Sequence, residues 1–449
     1  MTLVVIGANP TVAQAAEALP GDLLHVQLPG APALDRNGLA PGTRQVHTVD
    51  FHDGTAFRTF VDEVLKPLSP TAVVSLTELG LEPAAVAAER LGVRGVTPAV
   101  VRRTRDKLEM RRALELKAPH LNPAFASGDD PDAVARLFAG HTPVVAKPVS
   151  GVGSNAVALF DRAADLPTDR RTAGTLLEAF VGGLEFSVET LSAGGRHTVV
   201  GIAQKGTTGG FVEVSHMMPP PALDARGRAR VEEAVGQLLD VLGLTEGPSH
   251  TEVKVDGDHI VVIETHNRLG GDGIADLVRL TTGIDWRVAA LGWAVGAGLP
   301  RGQATAPTAA TVFFTAPPGT VTAVAPPPSL AHGTIVEWEV GVEPGDQVRP
   351  LRSSTDRLGM AVVTAADSAA CVAAVAELTA LPIVTTQPGV TVPSARRATN
   401  ARAADDRSTA APGTAQLSAA HQPGTAQPDT ARPGSTAPPS TAAQPAPVA

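Results

Sequence analysis

Tyrosine is absent from this 449-residue chain, and Phe and Trp bring the aromatic content to only 3%. Without aromatic platforms, stacking recognition of single-stranded nucleic acid is not expected. A surplus of positive charge is missing too: 36 Lys and Arg stand against 45 Asp and Glu, a formal net charge of −9. That balance argues against a polyanion-binding surface. A single cysteine, Cys371, excludes a disulfide within the chain and reads as a buried structural thiol in a small-residue helical run. No apolar run approaches the roughly 20 residues that span a bilayer, and Met1–Gly7 has no basic flank, so it reads as a first strand rather than a secretory signal. The expectations are no nucleic-acid partner, no membrane and a reducing cytoplasm.

The 43% of hydrophobic residues must build their cores from Val, Leu and Ala, and the length predicts two or three domains. Residues 1–96 alternate strand and helix: Leu3–Ile6, Val12–Leu19, Leu23–Leu28, a helix near Ala56–Leu65, then Ala72–Ser75. This is the pattern of a small parallel, doubly wound α/β domain. Gly7-Ala8-Asn9 lacks the later glycines of a dinucleotide fingerprint, which argues against a nicotinamide site. Residues 97–304 read as α+β: a charged helix over Val101–Leu116, short strands joined by Gly-rich turns, and an amphipathic helix through Leu242 that Gly243 ends. A C-terminal lobe, 305–394, carries strands at Thr311–Thr315 and Thr334–Val340 and a helix capped by Asp367. From 395 to 449 Ala, Pro and Thr dominate, and such a tail is expected to be disordered.

Thr251–Val255 and Ile260–Glu264 flank Asp256-Gly257-Asp258 and predict a hairpin. A three-residue loop centred on Asp258 sets Glu252 opposite Glu264, and facing carboxylates repel unless a cation lies between them. Asn267 adds a neutral oxygen just beyond the strand, and hard oxygen ligands of this kind suit magnesium. Two solvated glutamates on an edge hairpin are the plain alternative. In Val144–Asn155 a strand delivers Lys147, Pro148 stops it, and the small-residue loop Ser150, Gly151, Gly153, Ser154 follows. Small side chains let backbone N–H groups approach phosphate oxygens, and the ammonium supplies a counter-charge. In Thr175–Glu189 a strand leaves into Gly182-Gly183, so the main chain of Ala179, Phe180 and Val181 could meet an adenine edge and Glu185 a ribose. Glu178 and Glu185 as mere polar punctuation is the competing reading.

Together these segments resemble the ATP-grasp superfamily over about residues 1–390. The resemblance is carried by Thr104-Arg105-Asp106-Lys107, Lys147-Pro148 with its glycine loop, Leu177–Val181 with Glu185 and Glu189, Gly247–Glu252, and Glu264-x-x-Asn267-Arg268-x-Gly270-Gly271-Asp272. Its last two segments look most like those of the L-amino-acid (dipeptide) ligases and carnosine synthase-like enzymes. The resemblance implies a pre-ATP-grasp domain before a two-lobed ATP-binding region. It implies that Lys107 and Lys147 hold nucleotide phosphates, with Glu178 and the chain after it at adenine and Glu185 at ribose. Glu252, Glu264 and Asn267 would bind two Mg2+ ions, or Mn2+ in their place. Arg268 would steady a carboxylate and its acyl-phosphate, Gly270 and Gly271 would leave room for it, and His216 and His250 would line the substrate pocket. For Asp106-Lys107 a solvated helix face is the alternative. The implied activity couples a small-molecule carboxylate to an amine at the expense of ATP, in a chain that could form a homodimer. Another ATP-grasp carboxylate ligase, a purine-pathway or biotin carboxylase-like enzyme, and a non-catalytic nucleotide-binding protein are the rival readings.

Overall fold

The computed structural model describes residues 1–32, 34, 44–151, 153–207, 210–299 and 302–388. The tail expected to be disordered from 395 onward lies outside them. Residues Met1–Val390 cluster as one unit.

The N-terminal expectation of a parallel sheet is met. Strands β1 (Thr2–Ile6), β2 (Asp22–Gln27), β3 (Arg44–Thr48) and β4 (Ala72–Val74) pair in parallel in the order β3-β2-β1-β4. Strands covered on both faces are apolar at successive positions. Here Leu3 and Val5 pack with Ala13 and Ala16 of α1 (Pro10–Ala16), while Val4 and Ile6 pack with residues of α2 (Gly54–Phe60) and α3 (Leu81–Leu91).

The charged stretch expected as one helix over 101–116 is two: α4 (Pro98–Arg105) and α5 (Lys107–Lys117). Asp106 between them is extended, and its carboxylate accepts from Glu109 N to cap α5. An aspartate that can bond the backbone locally favours a helix start over a helix interior. The break turns Lys107 inward, so it is buried rather than part of a solvated face.

A small antiparallel sheet follows, ordered β5 (Phe125–Ser127), β8 (Thr175–Ala179), β6 (Val144–Pro148), β7 (Ala158–Phe160). Val134 and Leu137 of α6 (Pro131–Gly140) pack on Ala126, Val144, Ala146 and Leu177 of this sheet.

The central sheet is antiparallel and eight-stranded. It draws on β9 (Leu184–Ala193), β10 (Arg196–Thr207), β11 (Glu213–Met218), β12 (Gly247–Asp256), β13 (His259–His266), β14 (Thr308–Phe314), β16 (Thr334–Val340) and β18 (Gly359–Ala365), ordered β13-β12-β9-β10-β11-β14-β18-β16. Helix α7 (Ala225–Leu242) buries Val231, Val235, Leu238 and Leu242 against Phe186, Val188, Val253 and Val262, and Gly243 ends it in the left-handed conformation. Helices α8 (Ile274–Thr282) and α9 (Trp286–Gly292) bring this region against α1 through the buried Trp286. The sheet runs straight through residue 304, because β11 pairs with β14. A three-stranded sheet of β15 (Gly319–Val324), β17 (Gln347–Val348) and β19 (Val384–Gln387), with α10 (Ser368–Ala380), completes the C-terminal part. Cys371 lies wholly buried in α10 as a free thiol.

Candidate active site

The β12–β13 hairpin sets Glu252 opposite Glu264, but not by the expected turn. Asp256 pairs with His259 across a two-residue turn, and a bulge at the Glu252/Val253 step then skips Ile263 and restores the pairing. A bulge frees backbone groups from the ladder. The Ile263 carbonyl accepts from Lys147 Nζ at 3.3 Å and from an Arg111 nitrogen at 2.8 Å.

Both glutamates line a cavity of about 300 Å³. Glu264 Oε2 lies 2.9 Å from Lys107 Nζ, and its Oε1 faces His266. Glu252 Oε1 is 2.6 Å from Lys205 Nζ and 3.3 Å from His250 Nε2. Its Oε2 takes no hydrogen bond among the described residues. Burial alone would raise both carboxyl pKa values, yet Lys205 holds Glu252 down at about 2, and Lys107 holds Glu264 well below its usual range. Two ionised, opposed carboxylates on one cavity wall fit a divalent cation. Asn267 is not brought to that wall: it is 2% exposed, and its Oδ1 accepts from Thr104 Oγ1 at 2.8 Å.

Lys147, on β6, lines the same cavity. Its ammonium is 2.7 Å from Glu178 Oε2, and the other carboxylate oxygen accepts from Arg111 at 2.5 Å. Burial lowers the Lys147 pKa, opposed by Glu178. Glu178 thus spends both oxygens on cations that fix the lysine, and the wall beside it is the chain Ala179, Phe180, Val181. Lys107 Nζ also donates to the Gly151 carbonyl at 2.9 Å, tying α5 to the glycine loop. Gly151, Gly153 and Ser154 line the cavity, whereas Ser150 is exposed outside the lining. Glu185 lines it too, held 2.9 Å from Lys205.

At the far end Arg268 donates to Glu78 at 2.7 Å, and Glu78, which also meets Arg105, stays ionised well below the usual carboxylate range despite burial because His266 and Arg268 bond it. His216 Nε2 lies 3.2 Å from Asp272, which Arg357 grips with two nitrogens at 2.9 and 2.6 Å. His250 Nδ1 lies 2.5 Å from Glu189, a fully buried carboxylate that also accepts from Trp286 Nε1 and Gly270 N. Gly271 lines the cavity with open space where a Cβ would stand; Gly270 does not, because a Cβ there would come within 2.6 Å of Glu189 and His250. Gly270 is therefore explained by the Glu189–His250 contact rather than by room for a substrate.

Sequence reasoning assigned no part to Lys205, Glu78, Arg111 or Arg357, and it took Glu189 and Asp272 only as members of motifs, without a role at the site. Lys205 left a trace: it shares the inward face of β10 with Ala203, where an ionic residue needs a partner. Glu78 and Arg357 left none, since each is far along the chain from Arg268 or Asp272.

Residues 140–276 match the model of the ATP-grasp domain, and residues 312–381 match L-amino acid ligase C-terminal domain 2. Among curated proteins, the alanine–anticapsin ligase of Bacillus subtilis is 27% identical over 259 residues, 50% of this chain and 54% of that protein. The match thus spans about half the length of that relative. Among solved structures, the L-amino acid ligase from Bacillus licheniformis superposes with a TM-score of 0.67 at 22% identity, covering 86% of this chain and 98% of that one. A biotin carboxylase from Campylobacter jejuni, solved as its beta-gamma-ATP complex, gives 0.59 at 16% identity over 83% and 89% of the chains. The fold and the domain that carries the cavity walls are those of ATP-grasp proteins.

Proposed function

We propose that this ATP-grasp chain is an ATP-dependent carboxylate–amine ligase. The γ-phosphoryl group of ATP passes to a substrate carboxylate, an amine attacks the acyl-phosphate carbonyl, and phosphate leaves. The products are an amide or dipeptide, ADP and phosphate. One observation carries this reading: Lys107, Lys147, Glu252, Glu264 and Arg268 line a single cavity, in which Lys107 pairs with Glu264 and Lys147 with Glu178. Phosphoryl transfer asks mainly for positioning and for neutralisation of spreading negative charge. Two ammonium groups fixed by Glu178 and Glu264 supply positive charge at set points. Divalent ions on Glu252 and Glu264, which fit Mg2+, would neutralise charge on the phosphates. Arg268, steadied by Glu78, offers a guanidinium to the carboxylate or its acyl-phosphate. The match to L-amino acid ligase C-terminal domain 2, and the curated relative named as a ligase of alanine, support an amino acid as the carboxylate.

The test is ADP release over pairs of amino acids with Mg2+ and ATP, with products weighed by mass spectrometry. ADP is expected only when both an acyl donor and an amine are present. Glu264→Gln is expected to cut the rate by about a hundredfold or more while the folded protein persists by circular dichroism. Full activity in that variant removes the metal assignment. Turnover that needs bicarbonate and biotin instead of a second amino acid replaces the ligase by a carboxylase.

A further inference from the structure

Lys205 has no part in the chemistry above, yet it is the most enclosed cation of the cavity, its side chain 2% exposed. Its ammonium contacts three carboxylates: Glu185 Oε1 at 2.9 Å, Glu213 Oε1 at 2.9 Å and Glu252 Oε1 at 2.6 Å. An ammonium has three N–H donors, so each is spent on a separate acid. The ligand oxygens of those same three glutamates lie within 4.8 Å of one another, a spacing that suits a metal ion. Three carboxylates so close cannot stay ionised together without a cation among them. The chain supplies that cation itself, from β10, and the acids come from β9, β11 and β12.

We propose that Lys205 is a positioning residue that acts as a permanent built-in cation of the nucleotide cavity. It draws the ribose-side Glu185 and the metal-side Glu252 onto one centre, and it bars divalent ions from the Glu185–Glu213–Glu252 cluster. A divalent ion entering that cluster would meet a full positive charge at hydrogen-bond distance from every ligand oxygen. Metals are thereby restricted to the free Oε2 of Glu252 and to Glu264. Lys205 orients Glu252 by occupying its Oε1, as outer partners orient metal-binding carboxylates in general. The proposal rests on the nucleotide reading only for the roles of Glu185 and Glu252.

Mn2+ titrated into nucleotide-free protein, followed by the electron paramagnetic resonance of the free ion, separates the possibilities. Lys205→Met is expected to gain a site that binds Mn2+ about tenfold or more tighter than wild type. Adding Glu213→Gln to that variant should abolish the gain, and Lys205→Arg, which keeps the charge, should behave as wild type. Unchanged Mn2+ binding in Lys205→Met overturns the proposal. Anomalous diffraction from wild-type crystals grown with Mn2+ and ADP does not depend on how the variants fold. It should show manganese at Glu252 and Glu264 and none among Glu185, Glu213 and Lys205; manganese inside that cluster overturns the proposal. Absence of any manganese–ADP binding to wild type would instead remove the nucleotide reading, while a gained site in Lys205→Met would still establish the excluding cation.

Discussion

His250 shows how one buried side chain in this cavity takes its charge from its neighbours. Burial favours the neutral imidazole, but Glu189 at Nδ1 and Glu252 at Nε2 overcome that and raise its pKa from 6.5 to about 9. The folded protein therefore holds this proton more tightly than the unfolded chain. Its contribution to stability is fully present below about pH 6.5 and is lost as pH rises through about 9. Calorimetry of the metal-free protein is expected to show the melting temperature falling over that window. His250→Gln should flatten this part of the profile. A profile for His250→Gln as steep as the wild type's would remove His250 as the group responsible. At the same scale, Glu178 is more than the plain punctuation its strand pattern allowed: it lines the cavity, and its oxygens are spent on Lys147 and Arg111. A strand pattern tells which face a carboxylate occupies, not which cation reaches it from another element.

Two elements shape the cavity, the β12–β13 hairpin and the turn from β13 into α8. The opposition of Glu252 and Glu264 was legible from alternating β-branched runs, because side chains on a strand repeat every second residue. The bulge that restores it was not legible, since skipping Ile263 depends on the strands alongside. In the following turn adjacent glycines look alike in sequence but differ in surroundings. Gly270→Ala is expected to lower the melting temperature by several degrees, equivalent to about 1–3 kcal/mol, because its methyl would press on Glu189 and His250. Gly271→Ala, which meets nothing within 4 Å, should melt close to wild type. Equal melting temperatures for the two variants would contradict this account. The helix expected over 101–116 breaks at Asp106 for a similar reason: its capping bond places Lys107 at a helix start, facing Glu264.

Across Met1–Val390 the cavity is lined from the second and third parts of the unit, and its side chains are held from the first as well. Glu78 follows β4 of the first sheet, Arg268 follows β13 of the central one, and Arg357 precedes β18 and reaches Asp272. Ser354, one residue into the same turn, donates its N–H to the Gly153 carbonyl at 3.1 Å, so the C-terminal part also touches the glycine loop. Glu78→Gln exchanges a charged partner of Arg268 for a neutral one. ADP release is expected to fall about tenfold, the cost of a charge-assisted hydrogen bond, with KM rising more for the carboxylate substrate than for ATP. A selective rise in the KM for ATP would place Arg268 at the nucleotide instead. Among the described residues no helix is long and apolar enough to cross a membrane.

Local rules alone determined the parallel first sheet, the hairpin, the strand that ends at Lys147 and the order of the motifs. Each depends on periodicity, turn residues or spacing within a short segment. Tertiary structure alone decided that Lys205 stands among three carboxylates, that Glu78 holds Arg268, that Asn267 accepts from Thr104, and that the central sheet continues through residue 304. These outcomes depend on charges and strands brought together from distant parts of the chain. Electrostatic pairing in a buried cavity is set by distances of a few ångströms between such groups, and no local pattern encodes them.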